Sequence, residues 1–525
     1  MRLFRALRAA APNLSEIQGD LFSRGFPKFY ETYYFFSIQR PGDFSKALPK
    51  LVDGKHISSL AAVLGQWKDL DKPLNESTKE KTVTQLSNAL IGFSVFGLKE
   101  IERGIQSLGK GPALVGLGET ESGKYSLEKS DPAFYTGMKK DGPKSLFDPP
   151  VTRWDPLFQA NIHGVLKVAG SDKDQVESRL KQLKEALGYD SGVIVDIPAR
   201  SPPTDALSRV DGAAEKRSER LAWGREHFGF RDGISQPLMR DIDSDDACKT
   251  NNFMVTPQDA IIVPQDGKAW GHTSDTPPGD PSRRPPWMKD GSFLVFRKLE
   301  QHVKRFNTLL EKHKSVGCKD PEQLAAKLMG RWKDGTPIAD GEPRNPVEPA
   351  NSAPVNLLAS NNFPAPSTKK DSRTVCSPGA HILKTNPRTP AWSSSRILRH
   401  GIPYGTPFID KDEPRGLLFA CYQSSIDMGF RKLQQWANSR TFGEGASSLA
   451  PGIDPIIGQS KETAEGGQVK KEDAMRVWKD DKGADFWGKR TEEEGLGPHE
   501  PVVTMKGGEY FFVPSLAALR GVLGT

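Results

Sequence analysis

An α+β fold of two similar halves is what this sequence predicts, and three observations carry the prediction. Four segments repeat one design, an apolar β-rich run followed by a helical run with apolar residues three and four apart. Two of these units fall in each half of the chain, separated or followed by further strand-like runs. That makes each half a split βαβ, or ferredoxin-like, unit with an antiparallel sheet and peripheral helices. The chain has 525 residues, too many for one ordinary domain. The expected boundary lies near residue 220, dividing the chain into 1–220 and 221–525.

The first unit is "FYETYYFFSIQRPGDFSKALPKLV", Phe29 to Val52, and the strand-like "NALIGFSVFG" follows it from Asn88. The second is "NIHGVLKVAGSDKDQVESRLKQLKEAL", Asn161 to Leu187, where Val176, Leu180, Leu183 and Leu187 step along one helix face. The third, "GSFLVFRKLEQHVKRFNTLLEKH", runs from Gly291 to His313. The fourth, "GLLFACYQSSIDMGFRKLQQWAN", runs from Gly416 to Asn438, and "EYFFVPS" supplies a last strand near the end. Residues 270–290 and 335–372 are rich in Pro, Ser, Asn and Asp and read as loops. The charged, Gly-rich segment 440–500 reads as irregular.

Composition excludes several classes. Lys plus Arg is 73 against 66 for Asp plus Glu, a net charge of +7 that is small for this length. The most basic stretch, "PSTKKDSR" (Pro366 to Arg373), lacks interleaved aromatics, so no nucleic-acid partner is expected. Cys248, Cys318, Cys376 and Cys421 are far apart, which rules out a Cys-rich zinc site and fits a reducing compartment. No apolar run approaches the roughly 20 residues of a membrane helix. The first residues show no secretory h-region, which points to an intracellular protein. "GLGETESGKY" resembles a phosphate loop, but Tyr125 stands where Ser or Thr should bind magnesium. "DIDSDD" has calcium-loop spacing, but Asp246 replaces the required Gly and Asn252 the closing Glu.

Most of the nine histidines have structural explanations. His381 differs. It sits in "CSPGAHILKTNPRTP", after the small residues Gly379 and Ala380, with Lys384 and Arg388 following. An imidazole near two cations suits a ligand that carries both a metal and carboxylates, and haem is such a ligand, while the segment read alone still favours a satisfied structural histidine. Further on, Arg399 ends a β-like run in "ILRHGIPYG". Upstream, "GFRDGISQP" (Gly229 to Pro237) places Asp232 between glycines.

In order, these stretches resemble the dye-decolorizing haem peroxidase family. "GFRDGISQP" has that family's GxxDG form, "AHILKTNPR" is similar to its proximal haem segment and "ILRHGIPYG" to its distal arginine segment. "EIQGDLFSRGFPKFYETYYFF", "NIHGVLKVAG", "GSFLVFRKLEQ", "GLLFACYQSSI", "DPIIGQ" and "GGEYFFVPS" extend the resemblance over nearly the whole chain. It implies a duplicated ferredoxin-like fold of the dimeric α+β barrel kind, with one b-type haem per chain in the C-terminal half.

Carried over by position, the resemblance implies His381 as proximal iron ligand, Asp232 as distal acid–base residue and Arg399 as its distal partner. Leu417 and Phe419 alternate on one strand face and are expected to line the distal pocket. Arg388 is a candidate for propionate pairing. Gly229 and Gly233 are expected to let the backbone turn closely against the flat ligand. Tyr404 matches a position that the family can use for radical transfer at the surface, with Trp392 and Trp436 as further candidates. Asp454, in "GIDPIIGQ", is the candidate carboxylate behind the proximal imidazole. The sequence departs from the family at His400, where many relatives have a second Arg, and in the basic loop 366–373.

The implied reaction is reduction of hydrogen peroxide through an oxoferryl haem, with dyes, phenols or other bulky aromatics as electron donors. A carboxylate base stays ionised down to roughly pH 4, so an acidic optimum is expected. The rival reading is a haem-binding or iron-release protein with little turnover. Storage alone needs no distal acid–base pair, so the Asp232, His381 and Arg399 set favours the enzyme.

Overall fold

Each of the four sequence segments folds as a strand and the helix that follows it. The computed structural model describes residues 12–70, 86–109, 116–117, 124–197, 208–213, 225–243, 254–262, 279–313, 320–338, 379–386, 395–406, 413–441, 451–478, 493–496 and 499–524. In the first half, β1 (Tyr30–Ile38) runs into α1 (Pro41–Asp53), with Pro41 in the first turn, where a missing N–H costs nothing. The stripe Phe44, Leu48 and Leu51 faces the core. Next come β2 (Ser87–Phe93) and α2 (Val95–Ser107). The Ser94 hydroxyl caps α2, accepting from Phe96 N at 3.1 Å and Gly97 N at 3.2 Å. Then β3 (Gly164–Gly170) leads into α3 (Lys173–Ala186), which Asp172 caps and which buries Val176, Leu180 and Leu183 as the spacing predicts. The short strands β4 (Ile194–Asp196) and β5 (Arg209–Ala213) share the free edge of β1.

The second half repeats the scheme. It contains β6 (Ser292–Gln301), α4 (Val303–His313), a short α5 (His381–Thr385), β7 (Leu398–Arg399), β8 (Ile402–Tyr404) and β9 (Gly416–Gln423). A π-turn over Asp427–Arg431 precedes α6 (Lys432–Asn438), and β10 (Val503–Val513) completes the sheet. Both sheets are antiparallel with the same order of second, third, first and fourth strand. In the second sheet, β7 and β8 together fill the second position, β6 is the first strand and β10 the fourth. That is a duplicated ferredoxin-like architecture.

The sheets meet along two edges and enclose the main core. β10 pairs with β2 at Phe512 and Phe93. At the other edge β5 lies against β8 so closely that a Cβ on Gly212 would come within 2.3 Å of Ile402 Cγ2. Between the sheets, Phe35 packs on Phe296 at 5.2 Å and on Phe158 at 5.4 Å between ring centroids, in edge-to-face geometry. Each such buried ring contributes on the order of 2–3 kcal/mol, an upper estimate.

The first half also reaches across the second sheet. Arg297 on β6 pairs with buried Asp148, and Tyr510 on β10 donates its hydroxyl to Asp141 at 2.9 Å. The two halves are therefore interlocked through buried polar contacts. Residues 214–224, where a boundary near 220 would fall, lie outside the described residues. Within 440–500 the chain is mostly irregular where described, with one short helix (Lys461–Ala464) and a two-stranded ribbon, Arg476–Trp478 with Glu493–Gly495. No helix among the described residues is long and apolar enough to cross a membrane.

Candidate active site

His381 opens α5, and what holds it is a carboxylate. Its Nδ1 lies 2.8 Å from Asp454 Oδ2. The other oxygen of Asp454 accepts from Ile456 N at 2.7 Å and Ile457 N at 3.0 Å, so a turn of its own loop fixes the carboxylate before it meets the ring. An ionised carboxylate only accepts, so the proton sits on Nδ1 and the Nε2 lone pair is left available. No hydrogen bond among the described residues engages Nε2, and His381 lines a cavity.

Asp232 and Arg399 line the same cavity. Arg399 Nη1 lies 3.4 Å from Asp232 Oδ1, and the side chains are 28% and 34% exposed. Gly233 N donates to the same Oδ1 at 2.6 Å. The loop before Asp232 is organised by Glu226, whose carboxylate accepts from Phe228 N and Phe230 N at 2.8 Å each and from Gln301. Burial pushes the Glu226 acid up to about 7, against these three donors, and nearby Asp232 adds to the rise.

The period-two reading of β9 holds at this cavity. Leu417 and Phe419 are both half-buried and both line it, while Leu418 and Ala420 face the core between the sheets. Phe430 and Ile456 add apolar wall, and Arg331 and Arg396 also line it. Burial pushes Arg396 down to about 10, with Asp259 opposing.

Several sequence expectations need correction. Gly233 has φ +78° with open space where a side chain would be, and it lines the cavity. Gly229 does not. Its φ of +93° serves the Glu226–Phe230 turn, and Lys333 covers it, with Cδ 3.3 Å from a would-be Cβ. Gly379, one of the two small residues before His381, packs against Met475 and Pro451. Lys384 turns away from the cavity and donates to Ser439 O at 2.6 Å and Thr441 O at 3.2 Å. Burial lowers its ammonium to about 8, while Asp454 opposes the shift.

Tyr404 is only 8% exposed and does not line the cavity, so it is not the surface tyrosine expected. Its ring packs under Lys298 Nζ, 5.1 Å from the centroid, because β8 tucks it against the neighbouring strands. Trp436 is half-buried on α6 beside Lys432. Arg388 and Trp392 lie outside the described residues.

Sequence reading misses Glu226, Gln236 and Arg331, which hold the loop around Asp232. Arg331 ties the turn at 331–337 to that loop: its guanidinium donates to Ser235 Oγ at 3.3 Å and to Gly335 O at 2.9 Å. None of the three gives a periodic signal, because each acts on groups far away in the chain or within its own turn.

Among the described residues, no group of three or more His, Cys, Asp or Glu side chains could hold a bare metal ion. A single carboxylate-held imidazole in an apolar cavity fits a metal that brings its other ligands with it, and a flat macrocycle with carboxylate arms suits the apolar walls and guanidiniums. Fold and site together define a duplicated ferredoxin-like protein whose C-terminal sheet carries a cavity of the haem-peroxidase class.

The comparisons with known proteins agree. Residues 16–203 match the DyP dimeric alpha+beta barrel domain, and residues 281–445 match the Dyp-type peroxidase C-terminal domain. Peroxidase 2 of Mycetinis scorodonius is 32% identical over 97% of this chain and 88% of its own length. The structure of an ancestral D-type dye-decolorizing peroxidase is 32% identical, with a TM-score of 0.73 over 98% of this chain and 100% of that one. A dye-decolorizing peroxidase solved with 2,6-dimethoxyphenol is 27% identical, with a TM-score of 0.68 over 98% of this chain and 99% of its own. The chain belongs to the dye-decolorizing (DyP-type) peroxidase family.

Proposed function

We propose that this chain reduces hydrogen peroxide and oxidises dyes, phenols or other bulky aromatic donors, using one b-type haem per chain. The observation that carries the reading is that one apolar cavity is lined by His381, held by Asp454, and by the Asp232–Arg399 pair. Bound haem would supply an iron that binds peroxide and stores oxidising equivalents for return one electron at a time.

The chain's own residues do the rest. His381 offers Nε2 as the protein ligand, and Asp454 keeps the proton on Nδ1 and fixes the orientation of the ring. Asp232 Oδ1 is occupied by Gly233 N and Arg399. Oδ2 has no partner among the described residues, and it is the oxygen that takes a proton from one end of peroxide and returns it to the other. Arg399 stabilises the negative charge that develops on the departing oxygen. Leu417 and Phe419 exclude water from the same space. Arg396 also lines the cavity, and Arg388 is the sequence candidate for pairing with a carboxylate arm of the haem. For donors too large to enter, Trp436 is a better exposed relay than Tyr404.

Rapid mixing of the haem-loaded protein with peroxide tests this reading. A Soret change within milliseconds, followed by return to the starting spectrum on adding a phenol, is expected. No change over seconds would instead favour the haem-binding protein.

A further inference from the structure

Hydrogen bonds from Arg399 converge on one five-residue stretch, Asp232 to Gln236. Its Nη1 meets Asp232 Oδ1 at 3.4 Å and its Nη2 meets Ser235 O at 3.3 Å. Its backbone goes to the same place. Arg399 N donates to Gln236 Oε1 at 3.1 Å, and Gln236 Nε2 donates to Arg399 O at 3.0 Å. The second proton of that amide goes to Ser23 O, also at 3.0 Å. Gln236 is 5% exposed, so water does not compete for these bonds.

A primary amide presents an acceptor and a donor side by side, as a neighbouring strand would. The Gln236 side chain thus splices the Asp232 loop to β7, which among the described residues pairs only with β9, and it anchors both to the N-terminal half. Two side chains from distant parts of the sequence are held in one frame.

We infer that Gln236 is a positioning residue for peroxide cleavage, which sets the Asp232–Arg399 geometry without touching peroxide. This rests on the proposed roles of Asp232 and Arg399. Displacements near 1 Å at a reacting centre can cost about 100-fold in rate, so a loosened splice should be visible in kinetics.

The test compares haem-loaded wild type with Gln236→Leu and Gln236→Glu. Leucine removes all three bonds, whereas glutamate keeps the acceptor for Arg399 N and loses both donors. At equal haem content, the second-order rate constant with peroxide should fall about tenfold or more in both. Reduction of the peroxide-treated protein by a phenol should stay within about twofold, since Gln236 does not act on that step. Hydrogen exchange of residues 395–406 should accelerate, a readout independent of turnover. If Gln236→Leu does not fold, Gln236→Glu decides.

A peroxide rate within about twofold of wild type in a folded variant, or a proportional loss of both steps, would overturn the inference. Asp232→Asn is measured alongside. If it leaves the peroxide rate unchanged, the underlying reading has failed. If it slows the reaction and the Gln236 variants do not, only the positioning role has failed.

Discussion

His400 makes the fold sensitive to acid, and the size of that effect can be worked out. The ring is 7% exposed and sits beside Tyr422, with centroids 5.7 Å apart. Around it lie the buried Asp20, Glu31 and Lys167 and the half-buried Lys28, all from the first half. Burial pushes the imidazole down to about 4 from its ordinary 6.5, with Asp20 opposing and Lys167 and Lys28 adding to the fall. Between pH 6.5 and about 4 the unfolded chain binds a proton that the folded chain refuses. Stability from this group is therefore complete above roughly pH 6.5 and is lost as pH falls, at roughly 1.4 kcal/mol per pH unit.

The perturbation is His400→Gln, which is neutral throughout. Urea unfolding of both proteins at about pH 7.5 and about pH 4.5 gives a difference of differences. Packing changes caused by the substitution cancel, as do all groups that titrate alike in both proteins. The wild type should lose about 2–3 kcal/mol more than the variant between the two pH values. An equal loss in both proteins, or a larger loss in the variant, would refute the reasoning.

Other expectations follow from the site and the core. Asp454→Asn should raise the reduction potential of the bound haem and weaken haem binding by roughly 10- to 100-fold, read by spectroelectrochemistry and haem titration; an unchanged potential would count against the His381–Asp454 assignment. Arg399→Leu should keep its haem and slow peroxide cleavage by roughly 100-fold or more, measured at equal Soret absorbance. Phe296→Ala, at the centre of the inter-sheet aromatic cluster, should cost about 3–5 kcal/mol in unfolding free energy; a loss below about 1 kcal/mol would show that the ring is not central to the core.

The four strand–helix units are legible because each combines two periods that the sequence displays openly, two in the strand and about 3.6 in the helix. Barrel closure is readable only through the motif resemblance, since it depends on single contacts between distant edges, such as Gly212 against Ile402. Asp232, His381 and Arg399 are readable through motif resemblance, while charge and spacing alone leave each ambiguous. Lys384 misleads because a five-residue helix does not reveal which way a side chain turns. Gly229 misleads because a glycine needed for a turn and a glycine needed for close approach look the same in sequence. Gln236 is invisible as a splice, since its partners lie at Ser23 and Arg399.

The most direct test of the central claim is stopped-flow mixing of haem-loaded wild type and Asp232→Asn with peroxide, followed at the Soret band. If Asp232 moves the peroxide proton, the variant should bind haem normally and react roughly 100- to 10,000-fold more slowly. An Asp232→Asn protein that reacts as fast as wild type across pH would contradict the account.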